Sequence, residues 1–431
     1  MGVMILKAAI SFFLSMLIIL GLYIFAISDG DDSEAIPSLS TSAKKSIRPS
    51  VYSPQIYDKP KAMWLSQFDM REIYTKDGKQ RDASEYTRLV EGIISNISSM
   101  GINTVFIQLR PNGDSIYPSE IYPPSQYAVG AYGGEFCYDP FDIFLSLAHK
   151  SDISVHAWIN PLRCMSVENI EKIPEEYTIK QWYQKTEYIK EVDGYLYLDP
   201  AYEEARELVC DGVAEIIESY DVDGVHIDDY FYPTSDESFD ASSYLALNDK
   251  KLSLGDFRRE QTNKLVKSLY DTVKAKNSSL LFGVSPSGNT DRNYNELFAD
   301  VEMWCAEGYV DYICPQIYFG FEHATRPFDA VLSEFSEMAR RGNISLIVGI
   351  TLEKADNGYR GIKDTWAGTG SDEWITQKNI IKRSLLCVRE LDDTYGVALF
   401  SYRLLFDPIT GEPRIETREE YENFLPVFWE M

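Results

Sequence analysis

Short runs of β-branched and aromatic residues alternate with longer amphipathic stretches from residue 61 to the end of the chain. The short runs predict strands. Stretches such as 202–220 and 256–276, whose apolar residues recur at helical spacing, predict helices. A strand and a helix repeated along one chain indicate a parallel sheet. The eight predicted strands are residues 62–69, 103–110, 153–160, 224–230, 281–287, 311–318, 344–351 and 396–402.

Eight strand and helix units predict a (β/α)8 barrel, and we expect this fold for residues 61–431. A doubly wound sheet is the alternative, and it would carry a glycine-rich phosphate turn after its first strand. The first predicted strand instead runs into the sequence SQFDMREIY, and the glycine-rich run VGAYGGE at 129–135 lies within a loop. The barrel is therefore the favoured fold.

A separate pattern precedes the barrel. Residues 8–28 carry no charge and are numerous enough to cross a bilayer as a transmembrane helix. Lys7 precedes them, so the positive-inside rule predicts a signal anchor in the cell membrane with the barrel outside the cytoplasm. Cleavage as a signal peptide, with secretion, is the alternative. Residues 29–60 lack an apolar period and predict a flexible stalk, so the expected domains are 1–28, 29–60 and 61–431.

Alternation within the predicted strands separates residues that face the helices from residues that face the barrel interior. Val225 and Ile227 define the outward face of the fourth strand, so Asp228 faces inward and Asp229 faces the rim or the helix layer. Barrel enzymes carry their sites at the carboxyl ends of the strands. The same reasoning predicts a site there from Arg110, Asn112, Asp114, His156, Trp158, Asn160, His226, Tyr230, Ser285, Gln316 and Tyr318, with Glu353 at the rim.

The first and eighth strands are ambiguous in this respect. Gln67 or Asp69 would face the site from the first strand, and Tyr402 or Arg403 from the eighth. Arg110, on the second strand, would either hold a substrate group or pair with Asp228 and lower its pKa.

Charge and motifs narrow the chemistry. The 431 residues contain 41 Lys and Arg against 67 Asp and Glu, a net charge of -26, without a basic block, which disfavours nucleic acid as a partner. Neither a GxSxG nucleophile motif nor an HExxH zinc motif is present. We therefore expect no cofactor and no metal.

Carboxylates and aromatic residues dominate the predicted site. Glycoside hydrolysis uses two carboxyl groups across a cleft. Asp228 is the first candidate, Glu353 is its predicted partner, and Asp229 is a further candidate. Aromatic rings such as those of Trp158 and Tyr318 offer flat apolar faces to a sugar.

The sequence also resembles a known family. The strings FIQLRPNGDSIYPSEIYP, HAWINPLR, LDPAYEEARELV, YDVDGVHIDDYFYP, FGVSPSG and DYICPQIY are similar to motifs of the bacterial glycosyl-hydrolase-like 10 family, in the same order. The resemblance implies a TIM-barrel glycosidase-type domain that is exported or attached to a membrane. It also implies a polysaccharide substrate, since some relatives cleave cell-wall glycan strands stripped of their peptides. In this chain the loop after YPS reads EIYPPSQY, where relatives often carry an acidic residue before Pro-Trp-Ser, so that residue's role is not transferred to nearby Glu120.

Three functions remain open from the sequence. The first is a glycoside hydrolase that acts on a polysaccharide such as peptidoglycan glycan. The second is a metal-assisted hydrolase in which His226, Asp228 and Asp229, with Asp69 or His156, hold a divalent cation. The third is a barrel that binds glycan without cutting it.

Overall fold

The computed structural model describes residues 52–228, 231–391 and 395–431. Eight parallel strands close into a barrel in the order β1-β8-β7-β6-β5-β4-β3-β2. The strands are β1 (Lys61–Leu65), β2 (Thr104–Arg110), β3 (Ser154–Ile159), β4 (Gly224–Ile227), β5 (Leu281–Val284), β6 (Tyr312–Ile313), β7 (Ser345–Thr351) and β8 (Tyr395–Phe400). The predicted (β/α)8 barrel is confirmed, with one strand at each expected place.

One helix of the outer layer follows each strand. These helices are α1 (Ala83–Ser99), α2 (Pro140–Lys150), α3 (Glu203–Ser219), α4 (Leu254–Lys276), α5 (Val301–Ala306), α6 (Phe328–Gly342), α7 (Ile380–Arg389) and α8 (Arg418–Glu430). The helices predicted at 202–220 and 256–276 correspond to α3 and α4.

Smaller elements lie in the loops. The additional α-helices are Gln67–Tyr74, Gln126–Val129, Val167–Ile170, Thr178–Lys185, Ala241–Leu247, Thr290–Asn295, Glu353–Tyr359 and Glu373–Thr376, with 3-10 turns at Thr365–Gly370 and Tyr402–Leu404. Lys79–Gln80 pairs with Thr75–Lys76, and a three-stranded antiparallel sheet in the loop after β3 contains Arg163–Ser166, Ile189–Val192 and Tyr195–Leu198.

All eight strands are shorter than predicted, and a local cause is evident for two of them. The first ends at Leu65 because the Ser66 side chain accepts the backbone N–H of Asp69, and the Asp69 carboxylate accepts the backbone N–H of Ser66 at 2.8 Å. This capping box starts a helix at once. Regular pairing of β6 stops before Pro315, which has no backbone N–H to continue the ladder.

The alternation of side chains divides the core into two layers. Val225 and Ile227 belong to the large cluster between the strands and the helices, as predicted. A second cluster fills the barrel interior and contains Ala62, Trp64, Phe106, Trp158, Tyr312, Cys314, Ile347 and Ala398. Alternate residues along the same strand therefore belong to different cores.

A hydrogen-bonded chain of rings crosses the barrel interior. Trp64 Nε1 donates to His226 Nε2 at 3.2 Å, and the Tyr312 hydroxyl lies 3.0 Å from His226 Nδ1 and 2.9 Å from His156 Nδ1. Because an indole N–H can only donate, His226 carries its proton on Nδ1 and donates it to Tyr312. The Tyr312 hydroxyl is then free to donate to His156.

Burial keeps both histidines neutral. It lowers the pKa of His156 to about 4, and it lowers the pKa of His226 well below its usual value, with the neighbouring His156 adding to the effect. Phe106 stacks on the His226 ring at a centroid distance of 4.1 Å. The barrel interior is therefore an aromatic layer with fixed tautomers and no charge on its imidazoles.

The chain enters the barrel at the end opposite the carboxyl ends of the strands. Asp223, which precedes β4, accepts the Tyr52 hydroxyl at 2.7 Å and the Gln55 backbone N–H at 2.6 Å. Its other oxygen accepts the Val155 backbone N–H at 2.6 Å and lies 3.0 Å from His149 Nε2. The buried Asp223 carboxylate thus fastens the incoming segment across the starts of two strands.

This attachment extends the compact unit beyond the boundary expected at residue 61. The unit also includes Tyr52 and Gln55, because the segment that contains them packs on the barrel although it lacks an apolar period. The predicted anchor at 8–28 lies outside the described residues. Within the described ranges, no helix combines the length and the apolar character needed to cross a membrane.

The neutral histidines predict a pH dependence of stability. In the unfolded chain His156 binds a proton near pH 6.5, whereas the folded protein resists protonation until about pH 4. The free energy of unfolding should therefore fall on acidification through this window, by up to about 1.4 kcal/mol per pH unit for one histidine.

Urea unfolding of the wild type and of His156→Gln at several pH values across the window measures this effect. Subtracting the two curves removes the contributions of other titrating groups. We expect the stability advantage of the wild type to shrink toward low pH, and a constant difference would show that His156 is not held neutral.

Candidate active site

A cavity of about 590 Å³ opens at the carboxyl ends of the strands. Its floor and walls include Trp64, Gln67, Gln108, Trp158, Asn160, Asp228, Phe231, Tyr232, Ser285, Gln316, Tyr318 and Phe400. Its most exposed lining residues, which form its rim, are Phe68, Arg292, Glu353 and Arg403, and it is also lined by Arg163, Tyr197, Leu297 and Leu404. The volume lies in the range of ordinary ligand sites, and the position is where barrel enzymes carry theirs. We call this cavity the cleft.

The structure brings seven of the fourteen predicted site residues to the cleft. The predicted residues that line the cleft are Trp158, Asn160, Asp228, Ser285, Gln316, Tyr318 and Glu353, and of the alternatives offered for the first and eighth strands Gln67 and Arg403 line it as well. Asp229 and Tyr230 lie outside the described residues, so their assignments remain predictions.

Asp228 follows β4 directly and is buried at the bottom of the cleft. Its Oδ2 atom accepts hydrogen bonds from Trp158 Nε1 at 3.1 Å and from Asn160 Nδ2 at 2.5 Å. Both donors come from β3 or from the residue after it. N–H donors directed at a carboxylate stabilise its negative charge, so the neighbouring strand prepares Asp228 to act as an anion.

A relay of amides fixes the orientation of Asn160. The backbone N–H of Gln67 donates to Gln108 Oε1 at 2.8 Å, and Gln108 Nε2 donates to Asn160 Oδ1 at 2.6 Å. Because a backbone N–H can only donate, Gln108 must present its oxygen to Gln67 and its NH2 group to Asn160. Asn160 must then present its own NH2 group to Asp228. The start of the loop helix after β1 therefore determines the donor that reaches Asp228.

Glu353 enters the cleft from another side. It is the first residue of the helix after β7, it is exposed, and its backbone N–H donates to Thr351 Oγ1 at 3.0 Å. Two strands, β5 and β6, separate β7 from β4 in the barrel. Among the described residues that line the cleft, Asp228 and Glu353 are the two with carboxyl side chains.

Five predicted substrate-binding residues lie away from the cleft wall, which corrects their expected placement. His156 and His226 belong to the ring network of the barrel interior, below the Trp64 side chain. Arg110, Asn112 and Asp114 are buried at and after the end of β2. Side chains in the barrel interior and side chains on the cleft floor both face inward from their strands. The alternation pattern therefore cannot distinguish these two levels.

The end of β2 shows why its polar residues are unavailable. Arg110 Nη2 donates to the carbonyl groups of Asn160 and Pro161, and its guanidinium lies 4.9 Å from the centre of the Tyr122 ring. Arg110 therefore supports the backbone beside Asn160, and no ion pair between it and Asp228 is seen among the described contacts.

Asp114 closes the turn that follows. It accepts the Asn112 backbone N–H at 2.8 Å and the Tyr132 hydroxyl at 2.9 Å, and burial raises its pKa. Asn112 itself donates to Gln67 Oε1 at 3.1 Å. These contacts hold the turn next to the amide relay.

The contacts also bear on the hypothesis of a metal site. Asp69 is buried, accepts the backbone N–H groups of Ser66 and Arg403, and has its pKa raised by burial. His156 and His226 both turn their Nδ1 atoms to Tyr312. Within the described ranges, no three His, Cys, Asp or Glu side chains are grouped to hold a metal ion.

Several cleft residues were missed by the sequence reasoning. Arg163 and Tyr197 come from the antiparallel sheet after β3, and Arg292 comes from the helix Thr290–Asn295. Strand alternation carries no information about such loop residues. Trp64 could have been predicted from the sequence, since it lies two residues after Ala62 on β1 and faces inward like it.

Two proteins named as glycosyl hydrolases are similar to this chain. It is 30% identical over 321 residues to the glycosyl hydrolase YngK of Bacillus subtilis, covering 69% of this chain and 62% of YngK. It is 31% identical over 283 residues to the glycosyl hydrolase DigH of Escherichia coli K12, covering 61% of this chain and 64% of DigH. The chain thus spans less than two thirds of the length of each of these relatives.

Solved structures support the fold. The glycoside hydrolase domain of PgaB from Bordetella bronchiseptica superposes with a TM-score of 0.51 at 11% identity, covering 79% of this chain and 93% of that one. The catalytic domain of a β-amylase from Paenibacillus polymyxa gives 0.51 at 10% identity, covering 86% and 98%. The family model for glycosyl hydrolase-like 10 matches residues 59–367. The chain therefore belongs to the glycosyl hydrolase-like 10 family.

Proposed function

We propose that the barrel is a glycoside hydrolase that cleaves O-glycosidic bonds of a polysaccharide in the cleft. The observation that carries the proposal is the pair of carboxyl groups, Asp228 and Glu353, which reach the cleft from β4 and β7. Glycosidic cleavage needs two such groups, one ionised and one protonated. The family and the names of the relatives support the same reaction class.

The surroundings of the two groups suggest their roles. Asp228 accepts N–H donors from Trp158 and Asn160, which favour its ionised form. We assign Asp228 as the ionised group, either the nucleophile of a retaining reaction or the base of an inverting one. Glu353 would then give a proton to the departing sugar oxygen.

The walls of the cleft suit a sugar ring. Trp64, Trp158, Tyr318 and Phe400 present aromatic surface to it, and Ser285 and Gln316 add polar groups. A site with apolar walls and a few placed polar groups binds and orients a ligand at the same time.

The substrate and location form the finer part of the proposal. We propose bacterial cell-wall glycan as the polysaccharide and residues 8–28 as the membrane anchor, with the barrel on the outer side of the cytoplasmic membrane. The uncharged length of residues 8–28 and the preceding Lys7 support the location. The family resemblance supports the substrate.

Asp228→Asn and Glu353→Gln should each lower kcat/KM on the cleaved glycan about 100-fold or more, because each removes a group that transfers a proton or carries charge in the transition state. Product release from purified cell-wall glycan, followed by mass spectrometry, measures the effect. Asp271→Asn, on the exposed face of α4 and paired with Lys267, makes the same chemical change far from the cleft and should leave activity unchanged.

Full activity of both cleft variants would overturn the assignment of the carboxyl pair. Glycan that is retained by the wild type but never cleaved would indicate a binding module instead.

Gln108→Glu tests the amide relay. A carboxylate at this position can still accept the Gln67 N–H but cannot donate to Asn160, so Asn160 should turn its NH2 group away from Asp228. We expect kcat to fall about tenfold at neutral pH, the value of one charge-assisted hydrogen bond. Activity relative to the wild type should recover toward low pH, where protonation of the introduced carboxylate restores a donor.

Gln261→Glu, a buried position on α4, provides the matched control and should show no such pH effect. A loss at Gln108→Glu that is the same at every pH would mean that Gln108 supports the fold and does not act as a positioning residue.

A further inference from the structure

The charges around the cleft differ from those of the whole chain. The sequence carries a net charge of -26. The charged side chains that line the cleft, within the part of the chain that the structure describes, are nevertheless Arg163, Arg292, Arg403, Asp228 and Glu353. Three cations therefore surround a cleft whose proposed chemistry requires two carboxyl groups. A cleft that bound only neutral sugars would have no evident use for this excess.

Arg403 lies at the rim of the cleft beside an aromatic ring. Its guanidinium carbon lies 5.8 Å from the centre of the Phe68 ring, and both side chains line the cleft. Phe68 is 51% exposed although it sits in the first turn of a well-capped helix. A guanidinium beside an aromatic ring is held in position while its N–H groups remain available.

The buried Asp69 carboxylate joins the two halves of this pair. One oxygen accepts the Arg403 backbone N–H at 2.7 Å, and the other accepts the Ser66 N–H that begins the Phe68 helix. The loops after β8 and β1 are thereby fixed to each other. The backbone positions of Arg403 and Phe68 are consequently fixed relative to each other.

The Arg403 guanidinium has no carboxylate within ion-pair distance among the described residues, and the side chain it contacts is the Phe68 ring. Arg292 differs, because its Nε atom lies 3.7 Å from Glu296, an exposed neighbour that follows the same helix. Arg403 thus has no carboxylate partner among the described residues and can meet a ligand in the cleft.

We infer that Arg403, supported by Phe68, recognises a carboxylate substituent of the glycan and makes the enzyme selective for acidic polysaccharides. This inference rests on the proposed hydrolase function. A planar guanidinium binds a carboxylate through two parallel N–H donors, which a neutral sugar cannot match. It also offsets the repulsion that the ionised Asp228 would exert on an acidic sugar.

The test compares two forms of each polymer. Peptide-free cell-wall glycan and a uronic-acid polysaccharide are used as isolated and after carbodiimide and borohydride reduction, which converts their carboxylates to hydroxymethyl groups. The two polymers distinguish an ether-linked acid from a ring acid as the recognised group. Wild-type protein should cleave at least one acidic polymer and cleave its reduced form about tenfold less efficiently.

Arg403→Gln is the decisive variant. It should lower kcat/KM on the acidic polymer about tenfold and leave the rate on the reduced polymer unchanged, because only the carboxylate contact is lost. The kcat/KM of Arg403→Lys on the acidic polymer should lie between the values of the wild type and of Arg403→Gln, since lysine keeps the charge without the planar fork. Arg389→Gln, which removes an exposed arginine paired with Glu430 at the end of α7, is the matched control and should match the wild type.

The possible failures are distinguishable. If the wild type cleaves neither form of either polymer, the proposed hydrolase function fails. If it cleaves acidic and reduced forms equally well, or if Arg403→Gln slows both by the same factor, the hydrolase stands and carboxylate recognition by Arg403 is overturned.

Discussion

Backbone pairing of β1 with both β2 and β8 closes the sheet, and the existence of the cleft depends on this closure. Ala62 pairs with Thr104 on one side and with Ala398 on the other. In a closed parallel sheet all carboxyl ends meet at one mouth, so residues far apart in sequence come together there. Asp228 and Glu353 are brought to one cavity in this way, and so is Arg403, whose backbone is fixed to the helix after β1.

Hydrogen bonds that can run in only one direction organise the space below and beside the cleft. The Trp64 indole N–H sets the tautomer of His226, and the Gln67 backbone N–H sets the orientation of Gln108. Each network begins at a group that can donate but cannot accept, so no alternative arrangement satisfies the same contacts. One network ends within the aromatic interior, while the other ends at the Asp228 carboxylate.

Much of this arrangement could be predicted from the sequence, and there are physical reasons why the rest could not. The alternation of side chains along a strand distinguishes Val225 from Asp228, because the outward face of the strand packs on apolar helices and the inward face does not. Alternation along a strand does not give height along the barrel axis, so it groups His156 with Asn160 although His156 lies one layer deeper. It also gives nothing for Arg292, whose place depends on how a loop folds back over the mouth.

The neutral imidazoles of the barrel interior affect the electrostatics of the cleft. Because His156 and His226 stay uncharged to well below neutral pH, the layer beneath Trp64 adds no fixed ionic field from its imidazoles. The potential felt by a bound sugar then comes mainly from the acidic and basic groups at the mouth, which water and salt can reach and screen. Ligand affinity should consequently respond to ionic strength even though the site is set deep in the barrel.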